Sequence, residues 1–313
     1  MLIQSIWKYR WEAANKEWHC VGVDMRKLPV DEALAPLRLA LRDGNRAVLV
    51  APPGAGKTTR VPLALLDEPW LGTGRIVLLE PSRLAARAAA NRMAETLGQR
   101  LGETVGLRAR LMTAVSPATR IEVVTEGVFT RMILDDPELA GVGAVIFDEF
   151  HERSLDADFG LGLALDAQDG LRPDLRLLIM SATLDGARVA DLLSASGAPC
   201  PVISSEGRAH PVVTLYMPWR PDAMLEQAVA SGVARALAET GGDILVFLPG
   251  QREIRRAGDA LGERLAGRPV DIRLLHGTLD RADQDAALSP APAGRRKVVL
   301  SSAIAETSLT IEG

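Results

Sequence analysis

A glycine-rich segment between a strand-like run and a helix-like run constrains the fold of this chain most strongly. The segment 51–58 reads APPGAGKT and follows the apolar run 47–50. A loop in this position aims backbone N–H groups and a helix N-terminus at phosphates. The strict pattern begins with glycine where this chain has Ala51, but Gly54 and Gly56 still permit the tight turn. We therefore expect a parallel α/β sheet that carries a phosphate-binding loop.

This loop predicts a site for ATP and Mg²⁺. Lys57 would contact the β- and γ-phosphates, and Thr58 would hold Mg²⁺. The competing interpretation is a glycine- and proline-rich turn before a helix, with no ligand. The predicted nucleotide-binding residues are Pro53, Gly54, Ala55, Gly56, Lys57, Thr58 and Thr59.

A second apolar run, in the segment 144–153 (AVIFDEFHER), ends in two adjacent carboxylates. Acids at the end of a buried strand cost desolvation energy, which a metal ion compensates. Asp148 is the expected second Mg²⁺ ligand, and Glu149 could orient and deprotonate an attacking water. His151 and Glu152 lack a nearby histidine or cysteine that would complete a zinc set. The alternative is a solvated strand end.

Strand-like and helix-like runs alternate from Arg46 to Ala182, which is typical of a doubly wound parallel sheet. The stretch 196–218 interrupts this rhythm, and we interpret it as a linker with short extended segments around Val202 and Val212. A second α/β series follows, with helices expected from Gln251 and Asp280. The fold class is therefore α/β with two parallel sheets, the second shorter than the first.

Composition excludes several classes of protein. The formal net charge of −4 argues against a uniformly basic nucleic-acid coat, so contacts to nucleic acid would come from local arginines. The two cysteines, Cys20 and Cys200, give no disulfide framework, which fits a reducing cytoplasm. No apolar run reaches the ~18–20 residues that span a bilayer, so we expect no membrane association. The predicted location is cytoplasmic.

Residues 1–24 differ from the rest because they contain three of the five tryptophans. We expect them to be a non-native extension upstream of a natural start at Met25. The functional alternative is an aromatic docking segment.

The chain resembles the DEAH-box helicases of superfamily 2, and its motif sequences are most similar to those of a bacterial branch of that family. DEFHER resembles the Asp-Glu-x-His box, and other family motifs appear in family order. These are PSRLAAR at 81–87, TEGV at 125–128, SAT at 181–183, FLPG at 247–250 with Glu253 and Ile254, and IAETSLTI at 304–311. Each motif alone is weak, whereas the ordered set is specific.

The resemblance implies two RecA-like domains, residues 25–205 and an incomplete 206–313, with ATP bound between them and single-stranded nucleic acid crossing both. RNA is favoured over DNA as the strand. The implied catalytic residues are Glu149, Lys57, His151, Ser181 and Thr183. The implied nucleic-acid contacts are Arg83, Thr125, Glu126, Gly250, Gln251, Thr307 and Ser308. Contacts to the sugar-phosphate backbone predict binding without sequence preference.

The chain departs from the family pattern in three places. Ser82 and Ala303 stand where the family often has arginine and asparagine. The family's Gln-x-x-Gly-Arg-x-Gly-Arg motif, whose arginines contact the γ-phosphate, does not occur in the 313 residues. We expect a C-terminally truncated helicase that binds ATP but hydrolyses it poorly, because arginine fingers contribute about 10³–10⁵ in rate.

Two other functions remain open at this point. One is a binding module that clamps RNA under ATP control without unwinding it. The other is a small-molecule P-loop kinase, which accounts for Lys57 and Asp148 but not for SAT, HER or the segment 304–311.

Overall fold

The computed structural model describes residues 7–12, 17–23, 28–183, 186–194, 199–206, 211–218, 224–305 and 311. The chain divides into two compact units, residues 1–209 and 210–313. At the start of the first unit, β1 (Trp7–Glu12) and β2 (Glu17–Val23) pair as an antiparallel hairpin. The hairpin lies within the segment 1–24, whose non-native origin stays a prediction.

An eight-stranded sheet forms the centre of the first unit as the structure describes it. Its strands are β3 (Arg46–Val50), β4 (Arg75–Glu80), β5 (Val105–Ala109), β6 (Met112–Ala114), β7 (Ile121–Thr125), β8 (Val142–Phe147), β9 (Arg176–Ser181) and β10 (Val202–Ser204). Their order is β10-β3-β9-β8-β4-β7-β5-β6, and every pair is parallel except β5 with β6. The predicted parallel α/β sheet is confirmed.

Helices cover both faces of this sheet, which explains why its inner strands are mostly apolar. The helices are α1 (Asp31–Asp43), α2 (Lys57–Leu65), α3 (Arg83–Thr96), α4 (Glu126–Asp135), α5 (Leu155–Gly170) and α6 (Gly186–Leu193). Alternate residues of one strand enter opposite cores. Leu49 packs with Leu37 on one face, and Val50 lies in the core that contains Phe129 on the other.

The linker interpretation is partly wrong. The expected extended segment around Val202 is present, but it forms β10 at the edge of the first sheet, where Val202 pairs with Val48, so it is not linker. The segment 211–218, around Val212, has no regular structure. The β5–β6 hairpin is an addition that the motif pattern did not indicate.

The second unit contains a three-stranded parallel sheet in the described part of the chain, in the order β11-β13-β12. Its elements are α7 (Leu225–Glu239), β11 (Ile244–Phe247), α8 (Gln251–Arg264), β12 (Val270–Leu275), α9 (Arg281–Leu288) and β13 (Arg296–Ser301). Ile254, Leu261 and Leu300 are fully buried in its core. The helices expected from Gln251 and Asp280 are confirmed, with Asp280 as the N-cap of α9.

The strands of the first sheet end together, and this alignment brings distant segments to one edge. Val50 pairs with Ser181, Phe147 with Leu79, and Glu80 with Thr125. Ligand sites of open parallel sheets lie at such carboxyl edges. Within the described ranges, no helix combines the length and apolar composition needed to cross a membrane.

Candidate nucleotide site at the carboxyl edge of the first sheet

The loop between β3 and α2 has the backbone of a phosphate cradle. Gly54 and Gly56 adopt φ angles of 74° and 89°, which only glycine adopts without strain. A Cβ on Gly56 would lie 2.5 Å from Leu28 Cδ1, whereas a Cβ on Gly54 would meet nothing within 4 Å. Gly56 is the N-cap of α2 and makes no side-chain capping bond. The first N–H groups of α2 are therefore available to an anion.

Lys57 places a positive charge inside this loop. Its ammonium group donates to the Ala51 carbonyl at 2.8 Å, and Glu149 Oε1 lies 4.0 Å from Nζ. The side chain is only 3% exposed, so its position is set by the loop and not by solvent. An ammonium held this way suits the β- and γ-phosphates of a nucleotide.

Asp148 and Thr58 meet beneath the loop although 90 residues separate them. The Thr58 hydroxyl donates to Asp148 Oδ2, and the Glu149 N–H donates to Oδ1 at 2.8 Å. Burial raises the pKa of Asp148 to about 6, with a further rise from Glu149, and Thr58 and Lys57 oppose this rise. The cost of this desolvated carboxylate is what a cation would offset.

Asp148 and Thr58 fit a Mg²⁺ ion that binds together with a nucleotide. A carboxylate and a hydroxyl are hard oxygen donors, and Mg²⁺ usually takes one or two such protein ligands and completes its shell with water and phosphate. The described residues contain no group of three or more His, Cys, Asp or Glu side chains arranged to hold a metal alone. A partial site at Asp148 and Thr58 agrees with that requirement.

Glu149 begins a strained loop. Glu149 and Arg153, at φ angles of 47° and 54°, flank the short 3-10 helix Phe150–Glu152. Left-handed conformations are costly for non-glycine residues and cluster at functional sites. The Glu149 side chain is 12% exposed, and burial raises its pKa while Lys57 opposes the rise. The loop thus turns this carboxylate toward Lys57 and the phosphate cradle.

His151 connects this loop to the end of β9. Its Nδ1 accepts the Ala182 N–H at 3.3 Å and lies 3.3 Å from Glu149 Oε2. Burial and then Lys57 lower the pKa of His151, so the neutral ring with an acceptor at Nδ1 is favoured near neutral pH. The bond to Ala182 is consistent with that tautomer, whereas a bond to Glu149 would require a proton on Nδ1.

Ala182, which lies between Ser181 and Thr183, connects this segment to His151 through the bond from its N–H to Nδ1. The Ser181 hydroxyl accepts the Thr183 N–H at 3.3 Å, and the Ser181 carbonyl accepts the Ala51 N–H at 3.0 Å. The SAT segment is therefore bonded at one end to the start of the phosphate loop and at the other to His151.

Sequence reasoning missed Glu80, which ends β4 as an acid. The side chain is fully buried, and neither carboxyl oxygen has a hydrogen-bond partner in the described part of the structure. Burial, then Asp148 and Glu149, raises the pKa of Glu80 well above its ordinary value. The available signal was the acid at the end of an apolar strand, the same pattern that identified Asp148.

The predicted nucleic-acid residues of the first unit occupy the same edge in different environments. Arg83 is exposed at the first turn of α3. Thr125 is half-buried at the N-cap of α4 and makes no side-chain capping bond, which leaves the first N–H groups of α4 available. The Glu126 carboxylate is buried and accepts a bond from the Ser154 hydroxyl at 2.5 Å. The Glu126 carboxylate is thus engaged within the protein, and a contact from Glu126 to nucleic acid stays a prediction.

In the second unit, Gly250 and Gln251 lie at the start of α8. Gly250 is the N-cap without a side-chain bond, and Gln251 Nε2 donates to the Thr278 hydroxyl at 2.8 Å. Thr278 in turn lies 3.0 Å from His276 Nδ1, so a polar cluster forms at the carboxyl edge of the second sheet. Thr307 and Ser308 lie outside the described residues.

Comparison with known proteins gives consistent matches. The DEAD/DEAH box helicase family model matches residues 32–192, and the helicase conserved C-terminal domain model matches 223–313. The ATP-dependent RNA helicase HrpB of Escherichia coli is 52% identical over 289 residues, which are 92% of this chain and 35% of HrpB.

Two solved structures of the E. coli protein also match. The crystal structure of the DEAH/RHA helicase HrpB gives a TM-score of 0.84 at 52% identity and covers 91% of this chain and 36% of that chain. The crystal structure of the DExH-box NTPase HrpB gives a TM-score of 0.76 at 52% identity. That match covers 92% of this chain and 35% of the other chain. The chain spans about a third of the length of these relatives. The expected fold and the bacterial branch of the resemblance are confirmed.

Proposed function

Because the chain belongs to the DEAD/DEAH box helicase family, we propose that it carries the ATP-binding motor of an ATP-dependent RNA helicase. One observation supports this most strongly. The phosphate loop, the Thr58–Asp148 pair and Glu149 converge at the carboxyl edge of one sheet, although they come from segments some 90 residues apart. The E. coli relative is named an ATP-dependent RNA helicase, and that activity is our proposal for this chain.

In this proposal the residues divide the work on ATP. The segment Pro53–Thr59 and the N-terminus of α2 hold the phosphates, and Lys57 leaves the Ala51 carbonyl to bind the β- and γ-phosphates. Thr58 and Asp148 hold Mg²⁺, which when bound neutralises charge on the phosphate oxygens. Glu149 orients the attacking water and accepts its proton. His151, bonded to Ala182, keeps the loop that carries Glu149 in register with the SAT segment.

The RNA is held through its backbone. Thr125 and the open N-terminus of α4 offer hydroxyl and N–H donors, and the exposed Arg83 offers a guanidinium. Gly250 and Gln251 offer the corresponding donors in the second unit. Donors of this kind bind the phosphates of an RNA strand whatever its base sequence. RNA is favoured over DNA because the E. coli relative is named an RNA helicase.

We also propose that these 313 residues bind ATP more readily than they hydrolyse it. The arginine-bearing motif described above does not occur among them, and such arginines contribute about 10³–10⁵ in rate. We therefore expect slow hydrolysis from the 313 residues when no other protein segment supplies such arginines.

Phosphate release from Mg²⁺-ATP tests the proposal. The 313-residue chain and full-length E. coli HrpB would be assayed with and without single-stranded RNA, together with strand displacement. We expect RNA to stimulate both proteins, and the short chain to be slower by orders of magnitude. RNA-stimulated turnover by HrpB without strand displacement would favour an ATP-controlled clamp. Brisk turnover by the short chain would show that no further arginines are needed.

A further inference from the structure

A hydrogen bond between Glu126 and Ser154 joins the predicted RNA segment to the loop that carries Glu149. The Ser154 hydroxyl donates to Glu126 Oε2 at 2.5 Å and accepts the Ala157 N–H at 2.9 Å. A serine hydroxyl has one proton, so its only donor is used on Glu126. Glu126 is the first residue of α4, and Ser154 is the N-cap of α5. The bond therefore fastens two helix starts that lie 28 residues apart.

Both side chains are engaged within the protein. Glu126 is buried, with the residue 9% exposed, and the Ser154 hydroxyl donates one hydrogen bond and accepts another. Burial raises the pKa of Glu126, and the bond from Ser154 opposes that rise. A buried carboxylate that accepts a hydrogen bond from a serine on another helix holds the two helix starts together.

The connected loop is the strained one. Residues 149–153 begin and end in left-handed conformations, at Glu149 and Arg153. Such backbone persists only when its surroundings hold it. At one end, Phe150 is buried and packs edge-on against Phe147 at 6.2 Å. At the other end, immediately after Arg153, the bond from Ser154 to Glu126 holds the chain.

We propose that Glu126 and Ser154 are positioning residues that couple RNA bound at Thr125 to the placement of Glu149. The inference rests on the proposed function, since it takes Thr125 as an RNA contact and Glu149 as part of the ATP site. RNA that engages Thr125 and the N-terminus of α4 fixes the position of Glu126. Through Ser154, Glu126 then fixes the far end of the strained loop. The two ligands favour each other because both require the same arrangement of this loop.

The coupling is measured as a ratio of affinities. The dissociation constant of a fluorescent, non-hydrolysable Mg²⁺-ATP analogue is determined on the 313-residue chain with and without a saturating single-stranded oligo(U) RNA. For the parent we expect RNA to lower the dissociation constant of the analogue at least about fivefold, which is the lower end of common coupling factors. A purely structural role would lower stability and leave this ratio unchanged.

Four variants separate the bond from the helix cap. Glu126→Ala removes the acceptor and leaves Ser154 to cap α5, and Ser154→Gly keeps a favoured N-cap residue but has no hydroxyl to donate to Glu126. Both should reduce the ratio to within about twofold of one, whereas the affinity for the analogue without RNA should stay close to that of the parent. Glu126→Gln and Ser154→Thr keep an acceptor and a donor, so both should retain the parent ratio. Circular dichroism confirms the fold of each variant.

The outcomes distinguish this inference from the function on which it rests. If the parent binds neither the analogue nor RNA, the proposed function is wrong and the inference falls with it. If the parent binds both and the ratio is unchanged in the folded Glu126→Ala or Ser154→Gly variant, the inference alone is wrong. Parent binding of both ligands with no coupling also overturns it.

Discussion

At the residue scale, this site depends on charges removed from water and then paired. Asp148 and Glu149 both have raised pKa values because they are buried, and Lys57 opposes the rise at each of them. The lysine thus stabilises the ionised carboxylates that binding a cation and accepting a proton require. Removing one of these charges should affect chemistry more than folding.

Glu149→Gln tests the division of roles between the two acids. The amide keeps the size of the side chain but cannot accept a proton, so RNA-stimulated hydrolysis should fall by about 10²–10⁴. Affinity for Mg²⁺-ATP should stay within a few-fold of the parent because Thr58 and Asp148 are intact. Single-turnover phosphate release and equilibrium binding measure the two quantities. Equal turnover by variant and parent would remove Glu149 from the role of base.

Residue types and spacing were enough to predict the phosphate loop and the acids, because their chemistry is local in sequence. The partners of these residues were not predictable. Glu126 gave no sign that its carboxylate would meet Ser154, and Ser181 gave none that its carbonyl would bond to Ala51. Both bonds depend on which strands become neighbours, and strand order is a property of long-range packing.

At the element scale, the N-cap residues distinguish the starts of α2 and α4 from those of α3 and α5. The N-caps Ser82 and Ser154 bond to N–H groups of α3 and α5, whereas Gly56 and Thr125 leave the starts of α2 and α4 without a side-chain cap. These two uncapped starts lie where ATP and RNA are proposed to bind, although α1 and α7 also begin without a side-chain cap. Ser82, which stands where the family often has arginine, is thus explained by a structural bond.

Ser82→Ala should loosen α3 without altering the phosphate loop. The Ser82 hydroxyl accepts the Ala85 N–H at 3.1 Å, and losing such a cap costs about 1 kcal/mol. That cost corresponds to about fivefold faster hydrogen exchange of the amides of α3, if exchange proceeds through local opening. Ser82→Asp, which restores a capping oxygen, is the matched control. Unchanged exchange in the alanine variant would mean that the cap contributes nothing.

Elements were predicted unevenly, for a physical reason. The strands β3, β4, β7, β8 and β9 lie inside the sheet and are visible in the sequence as short β-branched or leucine-rich runs. The edge strands β6 and β10 have three residues each, and two of the three residues of β10 are exposed. Short edge strands bury little apolar surface, so their sequences have weak patterns.

At the scale of the whole molecule, we propose that the first unit carries the ATP chemistry and that the second unit provides a further set of RNA contacts. The matched family models divide in the same way, with one on residues 32–192 and the other on 223–313. The central claim is that the loop 51–58 and Asp148 form one Mg²⁺-dependent ATP site.

Titration of the 313-residue chain and of Lys57→Ala with a fluorescent ATP analogue, with and without Mg²⁺, tests this claim most directly. We expect saturable binding by the parent that weakens when Mg²⁺ is removed. In Lys57→Ala the affinity should fall at least about 10–100-fold, the loss expected for a charge-assisted hydrogen bond of about 1.5–3 kcal/mol. The melting temperature without nucleotide should stay close to that of the parent, since the side chain faces the loop and not the apolar core. Equal affinity in parent and variant, or binding that is indifferent to Mg²⁺, would show that the loop 51–58 and Asp148 do not form such a site.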